Sequence, residues 1–469
     1  MRAWSRACAG VLGAALGCGG PNDAPNGEID QSILTGHRRP FSTATVRVSV
    51  SSRGTEADRD SSRPGVSGDG RVVGFVSLAT NLVPGDTNEA DDIYVHHRGL
   101  RLTERVSVSS EGAEADLLSD VFPPALDRRG RSVAFESLAT NLVPGDTNGE
   151  ADVFLRDRRA GTTERLSVAD DGAQGNGASA SPAISAGGRL VAFISLATNL
   201  VPSDGNGRAD VFVRDRRRGS TSRVSIADDG TEGNGDAFSL VALSGNGRFV
   251  AFATRATNLS AEGVAGVLVH DRLRRATELA SVSSSGAPGS SGAGAGGVSL
   301  SHDGRFVAFD SDSSDLVPGD TNGVTDVFVR DLRAHKTERV CVGPGRIEAN
   351  GASLSPSLSG DGRFVAFVST ATNLAGLAAP ESHAYVHDRL TKRTRLVSVA
   401  PDGTPGNGAT LSAALSSDGR VLVSWSLASN LVAADGNGAG DIFVHTLGHA
   451  RRGHHRGHHR EHRGPGRRH

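Results

Sequence analysis

A Gly-Arg dipeptide recurs seven times down the chain: Gly70-Arg71, Gly130-Arg131, Gly188-Arg189, Gly247-Arg248, Gly304-Arg305, Gly362-Arg363 and Gly419-Arg420. Successive glycines are 60, 58, 59, 57, 58 and 57 residues apart. A fixed period of this size marks a repeat architecture, in which each unit buries its apolar face against its neighbours. It overrides the expectation from length, since 469 residues would otherwise suggest about three domains.

Every unit reads as β structure. In the copy Ser181–Ile226, SPAIS is a short strand and Ala186-Gly187-Gly188 a tight turn. RLVAFIS is a second strand, ADVFVRD a third after the loop TNLVPSDGNGR, and SRVSI a fourth. Short runs of Val, Ile, Phe and Ala bounded by Gly, Asn, Asp and Pro are strand signals, and no segment carries a helical period. Four antiparallel strands repeated radially make a β-propeller. Fourth strands are expected at Arg105–Val108, Arg165–Val168, Arg223–Ile226, Leu279–Val282, Arg339–Val342 and Leu396–Val399. The seventh unit ends at Asp441–Leu447 without one, and an orphan of the same kind, Val46–Val50, precedes the first unit. The expected fold is all-β: a seven-bladed propeller, four antiparallel strands per blade, closed by the N-terminal strand. Closure removes the open edge that invites aggregation, so a monomer is expected.

Composition fits a ring of turns. Gly numbers 61, aromatics are few (16 Phe, 2 Trp, 2 Tyr), and there are 3 Cys. Lys+Arg and Asp+Glu nearly cancel at 50 and 52. These values exclude a disulfide scaffold, a collagen, a polytopic membrane protein and a uniformly basic nucleic-acid binder; no nucleic-acid partner is expected. Phe75, Phe135, Phe193, Phe252, Phe309, Phe367 and Trp425 are assigned to one slot of the second strand. Tyr94, Phe154, Phe212, Phe328, Tyr385 and Phe443, with Leu268 in the fourth unit, are assigned to one slot of the third. Both slots read as core between blades.

The ends differ from the middle. Met1–Arg6 is basic, and the uncharged stretch Ala7–Gly20 is shorter than the ~20 apolar residues of a membrane span, as in a secretory signal. Ala15-Leu16-Gly17-Cys18 resembles a bacterial lipobox, making Cys18 the candidate lipidation site, so that a lipid anchor would be the only membrane contact. The expected organisation is a signal at 1–18, a flexible leader at 19–44, the propeller at 45–448 and a disordered His/Arg-rich tail at 449–469. The tail reads either as a solvated extension or as a metal- or polyanion-binding segment.

SPSLSGDGRFVAF at Ser355–Phe367, followed by AYVHD at Ala384–Asp388, resembles the TolB-like (WD40-like, PD40-type) β-propeller repeat. The resemblance covers Val46 to about Leu447. It implies a binding or scaffolding propeller rather than an enzyme, in the periplasm, on the outer membrane as a lipoprotein, or secreted. TolB itself has six blades and a separate N-terminal α/β domain, so its role in the Tol–Pal system is not implied.

The sharpest chemical motif is D-x-N-x-x-x-D in the loop between second and third strands. It occurs at Asp86/Asn88/Asp92, Asp146/Asn148/Asp152, Asp204/Asn206/Asp210, Asp320/Asn322/Asp326 and Asp435/Asn437/Asp441. The fourth and sixth units lack it, at Ser260–Gly266 and Ala375–Ala384. Oxygens at positions one, three and seven suit a hard cation, and the loops resemble the calcium loops of FG-GAP propellers in integrin α-chains. The same residues also serve Asx-turns in a tight connection. No cofactor is required on this reading, and Ca2+ is the one candidate. An Asn-Leu or Asp-Leu pair (Asn81, Asn141, Asn199, Asn258, Asp315, Asn373, Asn430) precedes the loop in all seven units, pointing to a structural hydrogen bond and a buried Leu.

The rims are expected to differ in charge. One receives the Gly-Arg turns and the hairpins Arg214–Arg218, Arg272–Arg275 and Arg330–Lys336; the other receives the Asp-rich loops and links such as Asp170-Asp171 and Asp228–Glu232. A basic face would hold anionic envelope polymers or lipid head groups, unless its arginines pair with Asp157, Asp215 and Asp331. His96, His270, His387 and His445 share a slot with Arg156, Arg214 and Arg330, which reads as a cationic surface position. Cys341 stands where other units have Ser and reads as a packed thiol. Near the axis only Asp127 is ionisable among the Ser positions, so catalysis finds little support. The expected function is non-catalytic binding of a protein or anionic polymer through one rim. A calcium-stabilised adhesion propeller, or an enzyme using the channel mouth, are the alternatives.

Overall fold

The computed structural model describes residues 42–119, 122–377 and 381–448. The signal, Cys18, nearly all of the leader and the tail lie outside the described residues. Seven four-stranded antiparallel sheets follow one another. In the first blade the strands are Ser61–Val66, Val72–Ser77, Asp92–His97 and Leu102–Arg105. First strands of neighbouring blades touch, so they ring the axis, and fourth strands form the perimeter. In the last sheet Thr410–Leu415, Val421–Ser426 and Asp441–Leu447 are followed by Ser42–Arg47, which lies antiparallel to Asp441–Leu447 with Val46 opposite Val444.

Alternation of side chains across each strand gives every sheet two apolar faces. Val73, Phe75 and Tyr94 pack onto Val421, Val423, Ile442 and Val444 of the seventh blade, whereas Val72, Val76 and Ile93 pack onto Val133, Phe135 and Phe154 of the second. In five blades the assigned aromatics pair across the strands with centroids 5.7–6.0 Å apart, stacked in Phe367–Tyr385 and tilted in Phe135–Phe154. Trp425 is a correction. Ser424 lies opposite Phe443 as Phe75 lies opposite Tyr94, so Ser424 fills the aromatic slot. Trp425 falls one residue later and faces the first blade, half-buried. The hydroxyl of Ser424 meets His445 Nε2 at 2.9 Å, a contact that phenylalanine could not make.

The fourth strands also sit earlier than expected, at Leu102–Arg105, Thr162–Arg165, Ser220–Arg223, Ala276–Leu279, Lys336–Arg339 and Arg393–Leu396. The Val-Ser-Val run that follows leaves the sheet edge: Val106 and Ser107 are buried, and Val108 bridges to Glu114 as the chain turns back. The orphan segment behaves likewise, with Ser42–Arg47 as the strand and Val50 bridged to Glu56.

At one rim the seven turns before the Gly-Arg pairs form a belt. Backbone N–H groups of Asp69, Arg128, Ala186, Asn246, His302, Gly360 and Asp418 donate to carbonyls of Arg128, Ala186, Gly245, His302, Gly360, Ser417 and Gly68, at 2.8–3.3 Å. Glycine is needed in the Gly-Arg pair itself: all seven sit at φ of 64–76°, and a Cβ on Gly70 would lie 2.7 Å from Val421 Cγ2.

Candidate functional site

The five D-x-N-x-x-x-D loops are built around an arginine. Arg105 ends its fourth strand and places Nη1 2.8 Å from Glu114, 3.1 Å from Asp92 and 3.5 Å from Asp86. Arg223 meets Asp204, Asp210 and Glu232 at 2.7–3.4 Å, Arg339 meets Asp320, Asp326 and Glu348 at 2.8–3.1 Å, and Arg47 meets Asp435, Asp441 and Glu56 at 2.6–3.2 Å. Arg165 meets Asp146 and Asp152 at 3.2 and 3.3 Å, with Gln174 in the glutamate's place. The same guanidiniums donate to the loop carbonyls of Gly85, Gly145, Ser203, Gly319 and Ala434.

These residues do not fit calcium. The carboxylate oxygens of Asp86, Asp92 and Glu114, and of Glu56, Asp435 and Asp441, do converge within 4.8 Å. A resident guanidinium holds the position between them and takes the carbonyl that an ion would recruit. The Asn side chains are turned the wrong way as well. Asn88 Nδ2 donates to Asp92 and to Ala115 O, and its oxygen accepts the Ala90 N–H in an Asx-turn. Asn148, Asn206, Asn322 and Asn437 repeat this arrangement. Turn chemistry plus an ion pair accounts for all fifteen side chains. The Asn-Leu pairs are structural too: Asn81 Nδ2 donates to Glu56 O at 2.8 Å, and Leu82 is buried.

The opposite rim is basic. Hairpin 214–218 carries Arg214, Arg216, Arg217 and Arg218 beside Asp215, with Arg216 paired to Glu164 of the preceding blade, and hairpin 271–275 carries Arg272, Arg274 and Arg275 beside Asp271. Five Gly-Arg arginines are clamped by the hairpin carboxylate across the strand pair: Arg131–Asp157, Arg189–Asp215, Arg248–Asp271, Arg305–Asp331 and Arg363–Asp388. Each is a two-pronged guanidinium–carboxylate contact at 2.5–3.3 Å. The Arg189 contact holds the Asp215 carboxyl down at about 2. Arg158, Arg216 and Arg389 pair with Glu104, Glu164 and Glu338 of the preceding blade's outer strand, whereas Arg159, Arg217, Arg274 and Arg333 stay exposed. The links are not confined to the acidic rim as expected. Asp170 and Asp228 accept the backbone N–H of Thr221 and Thr277 on the next blade's outer strand, so they seal the perimeter between blades.

The shared His/Arg slot is buried, which corrects its reading as a cationic surface. His96, His270, His387 and His445 are each at most 5% exposed. Burial holds His96 and His387 down at about 4 and His445 at about 3, so all three are neutral at pH 7. Each Nδ1 sits 2.9–3.0 Å from a threonine of the outer strand: Thr103, Thr277, Thr394 or Thr45. Thr103 donates its own hydroxyl to Val50 O of the preceding blade, so it accepts from the His96 Nδ1–H. Arg156, Arg214 and Arg330 make the same donation to Thr163, Thr221 and Thr337. Cys341 is packed as expected, its Sγ donating to Asp326 where the other blades use serine.

Two buried carboxylates escaped the sequence reading. Glu136 and Asp310 occupy a second-strand column that holds Val76, Ile194, Ala253 and Val368 elsewhere. A charge in an otherwise apolar column was the available signal. Asp310 accepts the Gly296 N–H, and burial pushes its carboxyl up to about 7. The two lie in the second and fifth blades, and Asp127 caps the N–H groups of Arg129 and Arg131.

No protein-family model and no curated protein matches the chain. Solved structures do. An oligogalacturonate lyase in complex with manganese has 9% identity and a TM-score of 0.53, covering 86% of this chain and 93% of that one. A putative TolB from Agrobacterium tumefaciens has 15% identity and a TM-score of 0.38 over 60% and 80%. TolB from Acinetobacter baumannii has 13% identity and a TM-score of 0.37 over 81% and 64%. The structures similar to this chain thus include TolB proteins among other propellers, and the lyase likeness shows the propeller fold alone.

Proposed function

We propose that this chain is a non-catalytic binding propeller of the bacterial cell envelope, or secreted from it, that holds an anionic polymer against its basic rim. The observation that carries the reading is the rim asymmetry. Acidic loops on one side are folded inward around five largely buried arginines, whereas the opposite rim keeps exposed guanidiniums beyond those its own carboxylates clamp. An array of this kind attracts polyanions over several ångströms and is screened by salt. The enzyme reading has less support: the buried ionisable groups nearest the axis stand in separate blades or cap a turn, and the lyase likeness reaches the fold only. A glycan polyanion suits the surface better than a nucleic acid, because none of the large apolar residues exposed among the described residues is aromatic, and bases need such platforms.

Binding of the full chain to immobilised polygalacturonate, measured at about 50 mM and about 200 mM salt, tests this. Binding at low salt that weakens steeply at high salt is expected. The variant Arg159→Ala/Arg217→Ala/Arg274→Ala/Arg333→Ala should bind several-fold less. Absence of binding at low salt would sink the proposal.

A further inference from the structure

The Gly-Arg arginine of the basic rim is clamped by an aspartate in five blades and not in the other two, and those two are neighbours. In blades two to six each Gly-Arg arginine is held by the aspartate opposite the start of its own strand. In the first blade the register-equivalent of that aspartate is His97, opposite Val72; in the seventh it is Thr446, opposite Val421. Arg71 is consequently 76% exposed, with Asp69 at 3.8 Å as its one ion-pair partner among the described residues. Arg420 is exposed and has no ion pair among the described residues. The two turns abut, since a Cβ on Gly70 would touch Val421. Arg98 spans the seam, donating to Gly70 O and to Thr446 Oγ1. An open cleft lies here, lined by Arg71, His97, Arg98, Gly99 and Leu100. Ser42 and Leu447 pair at this same rim, so both ends of the described ring leave beside the seam.

We infer that the seam between the seventh and first blades is the anion-binding subsite of the basic rim. There the guanidiniums of Arg71 and Arg420, freed from the clamp that neutralises their five counterparts, grip carboxylate, sulfate or phosphate groups of a polymeric glycan. This rests on the basic-rim reading and locates it. Guanidinium is the suited group because its planar fork takes an oxyanion with two parallel hydrogen bonds. The other blades supply an internal control, since their clamped arginines already have such a partner.

The test uses the full chain, so that residues 449–469 are common to every variant, with polygalacturonate, dextran sulfate and inorganic polyphosphate as separate probes at about 50 mM salt. Arg71→Ala/Arg420→Ala should weaken binding about fivefold or more, against less than about twofold for the charge-matched pair Arg159→Ala/Arg217→Ala. His97→Asp/Thr446→Asp, which installs the clamp of the other blades, should match the loss while melting no lower than the parent. Equal weakening by both arginine pairs would overturn the seam and leave the basic rim standing. No binding by the parent chain would remove both. Tighter binding of oligo-dT than of any of the three probes would overturn the glycan assignment in favour of nucleic acid.

Discussion

Arg339 Nη1 lies 2.8 Å from Asp326 Oδ2, joining the end of a fourth strand to the start of a third. In the fourth blade the same two places are Leu279 and Gly266, and in the sixth they are Leu396 and His383. The third member of the cluster changes with them. Glu348 and its counterparts Glu56, Glu114, Gln174 and Glu232 become Pro288 and Pro405. Five blades therefore carry an arginine with its acidic cage, and two carry neither. This is the behaviour of a cage whose cation is supplied by the chain.

Replacing the arginine alone should be costly. Arg105→Leu leaves Asp92, which is fully buried, and Asp86 and Glu114 facing one another without a counter-charge. Losing one partner of a buried ion pair costs about 3–5 kcal/mol. The expected result is a clear drop in the urea midpoint, with partial recovery when Asp92→Gly and Glu114→Pro are added to copy the fourth blade. A single variant as stable as the parent would show that the ion pair contributes little.

Calcium should leave the melting temperature unchanged. A ligand that binds only the folded state raises the midpoint by mass action, and here the guanidinium already holds the position a cation would take. Melting at millimolar Ca2+ and in EDTA is expected to coincide within error. A calcium-dependent rise of several degrees would restore the loops as metal sites.

The ring was legible because its signals are local and repeated: Gly-Arg turns, apolar runs and the Asn-Leu pair each recur once per blade. The arginine cage was legible in principle, since Arg105 and Glu114 alternate with Leu279 and Pro288 in step with the loop motif. The loop motif alone does not reveal it, because its cation comes from a strand 13 residues after the last aspartate. Trp425 stands beside the aromatic slot rather than in it, because the register places Ser424 opposite Phe443. Burial of His96 and its counterparts was not legible at all. Whether a strand-end side chain meets solvent depends on the link of the preceding blade folding over it, as Val50 does over Thr103.

Removing the chain through Arg47 should convert a monomer into a self-associating species. It strips Ser42–Arg47 from Asp441–Leu447, exposing a seven-residue edge, and it takes the guanidinium from Asp435 and Asp441. Unpaired edges template association with other chains. Size-exclusion chromatography at several concentrations should show concentration-dependent oligomers for the truncated chain and a single monomer peak for the parent. A truncated chain that stays monomeric with an unchanged melting temperature would mean that the first strand does not hold the ring.

Acid should weaken the propeller through its buried histidines. Burial holds His387 and His96 at about 4 in the folded chain, against about 6.5 when unfolded. Between those values the unfolded state binds protons that the folded state refuses. Their contribution is therefore present above pH 6.5 and is lost as the pH falls toward 4, by up to about 1.4 kcal/mol per pH unit for each group. Asp92 and Asp204, pushed up to about 6 by burial, act in the opposite sense over an overlapping range. The comparison must therefore be between variants. His387→Arg substitutes the residue that the fifth blade already uses at this slot, where Arg330 donates to Thr337 as His387 contacts Thr394. Urea midpoints at pH 7.5 and pH 5 should show the parent losing more stability on acidification than the variant. Equal losses would place the acid sensitivity elsewhere, because the carboxylates are common to both proteins.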